Sequence, residues 1–392
     1  MKSKTKNVLV YILTVVFAIL YIFIGNKMAT KDFVHFSGVN SAVFKKSVVT
    51  EIVDRTSAEQ QIGGVSYSGG VNIRFKARVL TGENKGEVLT ALQNSDPYMT
   101  MQIKEVEVGD KILLTKNQDP SATIEWTIAE YVRSDALIVL ALVFVGLLLL
   151  FGRGKGLNTI ISLVFTCLAI FMVLIPAILS GKNIYGWSLV TCTYIVLITL
   201  LIVYGANEKS LAAGLGCAGG VLLSGALTMG MDQILKLTGM LDEESIYLLV
   251  LSEENPIDLK AIIFAAIMIG AIGAIMDVSM SIASALSEVC GTMQSPTWGS
   301  VVKSGLTIGQ DIMGTMTNTL ILAYIGSSLS IVLLLAAYNA SLIHLTNMEM
   351  IVVEILQSLI GSIGILFTLP LSSLICAFLY TRKKTDKSRQ AA

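Results

Sequence analysis

The sequence predicts an α-helical membrane protein that crosses the bilayer about eight times and carries a small extracellular β-barrel domain. Three observations predict this fold class. Hydrophobic residues make up 54% of the 392 residues and charged residues only 14%, whereas a soluble domain has about a quarter charged residues. The apolar residues form blocks of roughly 18 residues or more, which is long enough to cross a bilayer. When eight blocks are counted, the short basic segments between them fall on one side of the membrane.

The first apolar block runs from Val8 to Ile24 and follows three lysines. A signal peptide has the same pattern, but its cleavage needs small residues in an A-x-A-like site. The stretch IGNKMAT, which ends the block and follows it, matches such a site poorly. We therefore expect residues 1–25 to be a retained N-terminal membrane anchor, with cleavage as the alternative.

Residues 26–131 form a polar segment with the pattern of short β-strands. In the stretch VNIRFKARVL, apolar and polar residues alternate as on a strand with one buried face. The turn-rich stretch TGENKG and a Gly109–Asp110 pair separate further strand-like runs. We expect a small β-barrel or sandwich, with an OB-like barrel as one candidate. The segment carries charges of both signs and no recognisable catalytic set.

Seven further apolar blocks predict a membrane domain over residues 132–380. The blocks are Leu137–Phe151, Leu157–Leu179, Ile184–Tyr204, Leu211–Met231, Ala261–Ala285, Met316–Tyr338 and Ile351–Leu379. With the N-terminal lysines inside, the positive-inside rule places the short basic loops and the basic tail, residues 381–392, in the cytoplasm. Both termini are then cytoplasmic and residues 26–131 are extracellular.

Asp277 is the only ionisable residue in the apolar run from Ala261 to Ala285. Small residues share its face at helical spacing; they include Gly270, Gly273 and Ser281. Because small residues let a neighbouring helix approach closely, we expect the carboxylate to point into the helix bundle. A charge in mid-membrane costs about 2.5–3.5 kcal/mol, and no Lys or Arg lies well inside an apolar block to pair with it.

Asp277 is therefore the candidate ion-coupling residue: it is protonated, faces water or binds a cation. Thr315, Asn318 and Thr319 open a later predicted helix and offer hydroxyl and amide groups as hydrogen-bond partners. Capping of that helix is the alternative role for these three residues. If the Asp277 helix ends early, the carboxylate instead lies at the cytoplasmic interface. Asp311 falls in an amphipathic stretch that we expect to lie along the cytoplasmic surface.

Glycines and prolines in the apolar blocks predict packing features. Gly216 and Gly220 have GxxxG spacing, which mostly indicates close helix packing. Pro176 and Pro370 are expected to kink their helices and to free backbone carbonyl groups.

Several classes of function find no support in the sequence. The formal net charge is zero, which suggests no nucleic-acid partner, and GRGKG lacks the spacing of a nucleotide-binding P-loop. The two histidines and five cysteines show neither a His-rich cluster nor a CxxC spacing, so we expect no metal and no other cofactor. HExxH and GxSxG motifs are absent, and we do not expect an enzyme.

Three stretches resemble the YibE/F-like membrane protein family. They are AIMIGAIGAIMDVSMSIASALSEV, GQDIMGTMTNTLILAYIG and TLPLSSLICAFLY, and the similarity covers the chain from Tyr131 to the C-terminus. The outer β domain followed by AEYVRSDALIVLALVF is similar to the YibE-type members. The resemblance implies a bacterial plasma membrane and no particular activity. If the two branches of the family work together, a second YibE/F-like subunit is a natural partner.

A second resemblance is to resistance-nodulation-division transporters and the SecD/SecF proteins. These have a GxxxD motif on a core helix, and Gly273 and Asp277 have this spacing. The chain departs from them by two extra predicted helices before the motif and by a far smaller outer domain. The unpaired Asp277, on a face of glycines and serines next to a helix start rich in Thr and Asn, itself predicts a proton- or cation-coupled transporter or translocation accessory. The alternative is a membrane-anchored scaffold or envelope-assembly protein whose outer β domain binds a partner.

Overall fold

The computed structural model describes residues 2–31, 43–62, 65–95, 104–117, 124–250, 257–293, 296–337 and 341–391. The chain forms two compact units. One comprises Met1–His35 and Leu148–Ala392, and the other comprises Phe36–Leu147. The domain boundaries at residues 25, 131 and 380 stay a prediction.

The smaller unit contains a closed five-stranded barrel. Its strands are β1 (Lys45–Ile62), β2 (Val65–Val79), β3 (Val88–Ser95), β4 (Lys111–Lys116) and β5 (Trp126–Tyr131). They close in the order β1-β2-β3-β5-β4. The β3–β5 pair is parallel and the others are antiparallel. The predicted β-barrel is confirmed, and five strands closed in this order form an OB-like barrel.

The barrel core follows the alternation read from the sequence. Ile73, Phe75 and Ala77 of β2 are buried, whereas Arg74 and Arg78 are exposed. Successive strand residues point to opposite faces, so one register fills the barrel and leaves the arginines outside.

Helix α2 (Ser134–Ala169) begins directly after the barrel and is attached to it. The Asp135 carboxylate in its first turn accepts from the Lys46 ammonium at 2.6 Å and from the Lys111 ammonium at 3.1 Å. The backbone N–H of Val132 also donates to the Lys111 carbonyl at 2.9 Å. These contacts join the end of β5 and the start of α2 to β1 and β4.

The larger unit is helical. Its elements are α1 (Lys2–Ala29), the remainder of α2, a π-helical turn (Ile170–Leu174), α3 (Ile175–Leu179), α4 (Ile184–Tyr204), α5 (Glu208–Leu235), α6 (Glu243–Val250), α7 (Leu259–Thr292), α8 (Trp298–Ser327), α9 (Leu329–Ala337), α10 (Leu342–Leu345) and α11 (Glu349–Ala391). Among the described residues, six helical runs are long and apolar enough to cross a membrane. They are Val8–Ala29, Ser134–Leu179, Ile184–Tyr204, Glu208–Leu235, Leu259–Thr292 and Glu349–Arg382. The predicted count of eight differs from these six in two places.

The first difference lies in the run Ser134–Leu179, which contains two of the predicted blocks. The backbone of Arg153 is non-helical, with φ 48° and ψ −127°. A Cβ atom at Gly156 would collide with the carbonyl oxygen of Leu148, so the chain bends sharply between them. The run therefore consists of two helices joined at this bend, which falls between the predicted blocks Leu137–Phe151 and Leu157–Leu179 and agrees with their separation.

The second difference is α8, which is not among the six runs. The sequence predicted a surface segment before Gly314 and a separate membrane helix from Met316 to Tyr338. The structure instead has one helix through Gly314 that ends at Ser327, because glycines on its first half allow close packing. Gly305 contacts Ser373 of α11 and Leu286 of α7. Tyr338 itself lies outside the described residues.

Close packing of α5, α7 and α11 builds the core of the larger unit. Gly216 of α5 lies against the hydroxyl groups of Ser279 and Ser372, and Gly220 lies against Thr368. The Ser279 hydroxyl donates to the Ala213 carbonyl at 2.7 Å and shares a 2.8 Å hydrogen bond with Ser372. The packing role predicted for the two glycines is confirmed.

The two prolines behave differently. Helix α11 continues through Pro370 without interruption. Pro176 follows the π-helical turn, and because it has no N–H it cannot donate to the Met172 carbonyl. The side-chain amide of Asn26 in α1 donates to that carbonyl instead. The predicted free carbonyl is therefore confirmed at Pro176.

Candidate functional site

Asp277 lies well inside helix α7. The helix begins after Asp258, whose carboxylate caps it by accepting from the Ala261 N–H at 3.2 Å, and it continues to Thr292. The alternative in which this helix ends close to Asp277 is wrong.

Two ion pairs mark the ends of α7. Lys260 pairs with Asp232 at 3.6 Å near its start, and Glu288 pairs with Lys209 at 3.3 Å near its end. At about 1.5 Å per residue, Asp277 lies about 26 Å along the helix from Lys260 and about 17 Å from Glu288. The hydrocarbon core of a bilayer is about 30 Å thick. If the two ion pairs lie in the headgroup regions, the carboxylate lies inside that core.

The face of α7 that carries Asp277 points away from the helix bundle. Asp277, Gly273 and Ser281 are exposed on the single chain. The isoleucines on the opposite side are buried; they are Ile267, Ile272 and Ile282. The expectation that the carboxylate points into the bundle is therefore wrong for this chain. The bundle is filled by the large α7 side chains, because the small residues that receive them lie on α5 and α11.

The two glycines of the Asp277 face have different surroundings. A Cβ atom at Gly273 would meet nothing within 4 Å, whereas one at Gly270 would collide with the Tyr324 hydroxyl of α8. Helix α8 therefore crosses the face near Gly270 and leaves it open near Gly273.

The three predicted hydrogen-bond partners do not bond to Asp277. Two of them bond to backbone carbonyl groups of their own helix, and the third is exposed. The Thr315 hydroxyl donates to the Ile312 carbonyl at 2.9 Å, and the Thr319 hydroxyl donates to the Thr315 carbonyl at 2.8 Å. Asn318 is exposed on α8. Within the part of the chain that the structure describes, Asp277 has no hydrogen bond and no ion pair. The Tyr204 hydroxyl at the end of α4 is close enough to interact electrostatically with the carboxylate.

Asp311 lies at a height along the helices similar to that of Asp277, a relationship that the sequence analysis did not predict. Close contacts join Gly305 to Leu286 and Tyr324 to Gly270, so α8 runs antiparallel to α7. At about 1.5 Å per residue, Asp311 lies about 9 Å beyond Gly305, and Asp277 lies about 14 Å beyond Leu286 in the same direction. The two residues are therefore within about 5 Å of each other along the helix axes. The apolar spacing of residues 298–315, read together with the α7 pattern, was the available signal.

The described residues contain no candidate metal site. Among them, no three His, Cys, Asp or Glu side chains form a group that could hold a metal ion. The five cysteines are free thiols, four of them buried and Cys167 exposed.

Six helical runs of membrane-crossing length and apolarity, with a small barrel between the first and the second, are typical of a multi-pass membrane protein. The family model described as YibE/F-like protein matches residues 140–382. The chain therefore belongs to the YibE/F-like family, and the predicted resemblance is confirmed. The matched region contains Asp277 and follows the barrel. Comparisons with curated proteins and with solved structures found no match. They give no support to the resemblance with resistance-nodulation-division transporters and SecD/SecF proteins.

Proposed function

We propose that this YibE/F-like protein couples the movement of protons or cations to transport or translocation across the plasma membrane, with Asp277 as the coupling carboxylate. The observation that carries the proposal is the position of Asp277. It lies about 17 Å along α7 from the nearest ion pair of that helix, and it has no ion pair or hydrogen bond among the described residues. We propose no enzymatic reaction.

The physical argument rests on the energy of an isolated charge. A charged aspartate at the bilayer centre costs about 2.5–3.5 kcal/mol on insertion scales. A protonated carboxyl, a bound cation or a column of water removes that energy, and the first two of these states take up an exchangeable ion. Carboxylates inside membrane segments serve such roles in pumps and transporters. The open space beside Gly273 leaves room for an ion or water next to Asp277.

Helix α8 supplies the second wall of the proposed ion path. Asp311 and Thr315 are both exposed on α8, and the antiparallel contacts with α7 put them at a depth similar to that of Asp277. Tyr204 at the end of α4 interacts electrostatically with Asp277. Hydroxyl and carboxyl groups can relay protons or coordinate a cation.

The proposed path is open on the single chain, so we propose that another protein helix covers it. A second YibE/F-like subunit is the proposed cover, because polar groups at membrane depth are placed toward protein or water rather than lipid. Purification from native membranes in mild detergent should recover that subunit with this chain. Recovery of this chain alone would contradict the pairing.

The first experiment is carbodiimide labelling of Asp277 as a function of pH, read by mass spectrometry with the protein in lipid. Carbodiimides react with protonated carboxyl groups. We expect labelling that persists near neutral pH and falls only in alkali, because burial in lipid disfavours the charged form of a carboxyl. Asp277→Asn is the control for site assignment, and Ser281→Ala is the matched control on the same face.

The same experiment can overturn the proposal. Labelling that is lost at mildly acidic pH, together with quenching by water-soluble nucleophiles, would place Asp277 in bulk water. The coupling role would then lose its main residue. A transport assay, once a substrate is identified, should show that Asp277→Asn abolishes coupling while Ser281→Ala retains it.

The alternative function is a membrane-anchored scaffold or envelope-assembly protein whose barrel binds a partner. The observation that favours it is the outer face of β2, where Arg74 and Arg78 are exposed. OB-like barrels bind ligands on the face of their second and third strands. A photo-crosslinker at position 78 should then trap a defined partner, and a crosslinker at exposed Lys85 should not. Equal, diffuse crosslinking at both positions would count against the scaffold.

A further inference from the structure

We propose that a groove between α4, α5 and α7 binds an anionic phospholipid, with the phosphate near two lysines and an acyl chain along an apolar wall. The groove has a volume of about 1110 Å³, larger than the roughly 300–1,000 Å³ of typical small-molecule sites. It lies where α4 ends at Tyr204 and α5 begins at Glu208. The coupling role proposed for Asp277 neither requires this site nor implies it.

The wall of the groove is apolar along the helices. Leu197 and Leu201 line it from α4, and Leu215 and Ala218 line it from α5. Leu197 and Leu215 are 44% and 49% exposed, so the single chain leaves them uncovered. From Lys209 to Ala218 the wall extends about 14 Å along α5, which is close to the depth of one leaflet of the hydrocarbon core. An acyl chain of one leaflet matches this length and polarity.

The end of the groove is basic and polar. Lys155 and Lys209 both line it, together with Asn207. Lys209 forms an ion pair at 3.3 Å with Glu288, and the Glu288 side chain is 80% exposed. Lys155 has no ion pair in the described segments. Basic pockets between membrane helices bind the headgroups of anionic lipids.

The local backbone fixes the position of the basic end. Gly205 ends α4 with φ 79°, a conformation that glycine adopts without strain. The Asn207 side chain then caps α5 by accepting from the Ser210 N–H at 2.9 Å. Lys209 follows in the first turn of α5, so its side chain starts from an ordered helix end at the rim of the groove.

The charge of the lining selects one class of ligand. Glu208 also lines the groove and disfavours a ligand with several negative charges. A single phosphodiester between two ammonium groups fits this balance, and a soluble phosphate would leave the leucine wall in contact with water. The occupant we infer is therefore a membrane phospholipid with one net negative charge.

Native mass spectrometry of the full chain tests the site. The protein is released from nanodiscs that contain equal amounts of phosphatidylglycerol and phosphatidylcholine, and retained lipids are counted. We expect preferential retention of phosphatidylglycerol. The paired substitutions Lys155→Gln and Lys209→Gln should weaken it about 30-fold, since each lysine near a membrane surface contributes roughly 1 kcal/mol. Lys303→Gln, which removes an exposed charge on α8 outside the groove, should leave retention unchanged.

A second variant tests the apolar wall and keeps both lysines. Ala218→Trp should fill the groove and lower phosphatidylglycerol retention, with thermal unfolding of the variant as the check on its fold. Binding of inorganic phosphate that is unaffected by Ala218→Trp would show a soluble-anion site and overturn the proposal. Equal retention of the two lipids by the unaltered chain, or unchanged retention in both variants, would overturn it as well.

Discussion

The side-chain amide of Asn26 donates a hydrogen bond to the backbone carbonyl of Met172 at 2.6 Å. Met172 is the acceptor that Pro176 cannot reach, because proline has no N–H. Gly25 lies against Val173 beside this bond. The first helix thus supplies a donor to the π-helical turn of another helix. We infer that α1 packs as part of the helical unit.

The Asn26 bond predicts a specific coupling to Pro176. Asn26→Ala should destabilise the protein by about 1 kcal/mol, the usual net contribution of one hydrogen bond. In a Pro176→Ala background the helix N–H is restored, so the same substitution should cost clearly less. Thermal unfolding in detergent of the two single variants and the double variant measures the coupling. An equal cost of Asn26→Ala in both backgrounds would contradict the interpretation.

Alanine substitution at two glycines of α5 should have different effects on stability. At Gly216 a Cβ atom would collide with the hydroxyl groups of Ser372 and Ser279, whereas at Gly230 it would meet nothing within 4 Å. Gly216→Ala should therefore lower stability by about 1–3 kcal/mol through overpacking. Gly230→Ala, the matched control on the same helix, should be neutral or slightly stabilising. Similar unfolding temperatures for both variants would show that α5 doesn't pack as described.

The barrel could be predicted from the sequence because its signal is local. Alternation along β2 fixes which side chains are buried, and a shift of one residue would place Arg74 and Arg78 inside. The long apolar helices could equally be predicted from the sequence, because hydropathy measures the free energy of transfer into lipid directly. Neither prediction required knowledge of which helices are neighbours.

The orientation of Asp277 could not be predicted in this way. A face of small residues fits a neighbouring helix, but it says nothing of whether that neighbour is in the same chain. Here Ile275 of α7 fills the space between Gly220 of α5 and Gly364 of α11. The partners of α7 thus carry the glycines, and the large face of α7 turns inward. The continuous α8 was missed for a related reason, because its polar first half has too low a hydropathy to be recognised as part of a long helix that packs against α7 and α11.

The structure and the sequence pattern predict different depths in the membrane for Asp311. Spin labels placed singly at positions 277, 288 and 311 in a cysteine-free background should report depth through their accessibility to oxygen and to a water-soluble nickel complex. We expect labels at 277 and 311 at similar depth, within about 5 Å along the helix axes, and the label at 288 near the headgroups. If the label at 311 is as accessible to the nickel complex as the label at 288, the surface segment that the sequence predicted would be correct.

Sidedness of the membrane is tested by labelling cysteines from outside the cell. The positive-inside rule places the barrel outside and the tail inside. In a Cys167→Ser background, an impermeant maleimide should label Lys85→Cys on intact cells. Ser388→Cys in the tail should react only after permeabilisation. Labelling of the tail residue on intact cells, with protection of the barrel residue, would invert the topology.

Tyr131 gives the barrel a predicted alkaline transition. Its hydroxyl donates to the carbonyl groups of Lys104 at 2.9 Å and Glu105 at 3.0 Å. Burial, and next the nearby Asp110 carboxylate, raise the pKa of Tyr131 to about 12, against about 10 for an unfolded tyrosine. The folded state therefore favours the protonated phenol. Its contribution to stability is fully present below pH 10 and is lost as the pH rises from about 10 to about 12.

Hydrogen exchange of the β4 and β5 amides in the full chain measures this transition. Corrected for the intrinsic effect of pH on exchange, protection in the unaltered protein should fall between about pH 10 and 12. Tyr131→Phe should start with lower protection, because the two carbonyl groups lose their shared donor, and should show a flatter profile over the same range. Asp110→Asn should move the fall to lower pH, since it removes a charge that opposes phenolate formation. A Tyr131→Phe profile that parallels the unaltered protein would assign the alkaline transition to another group.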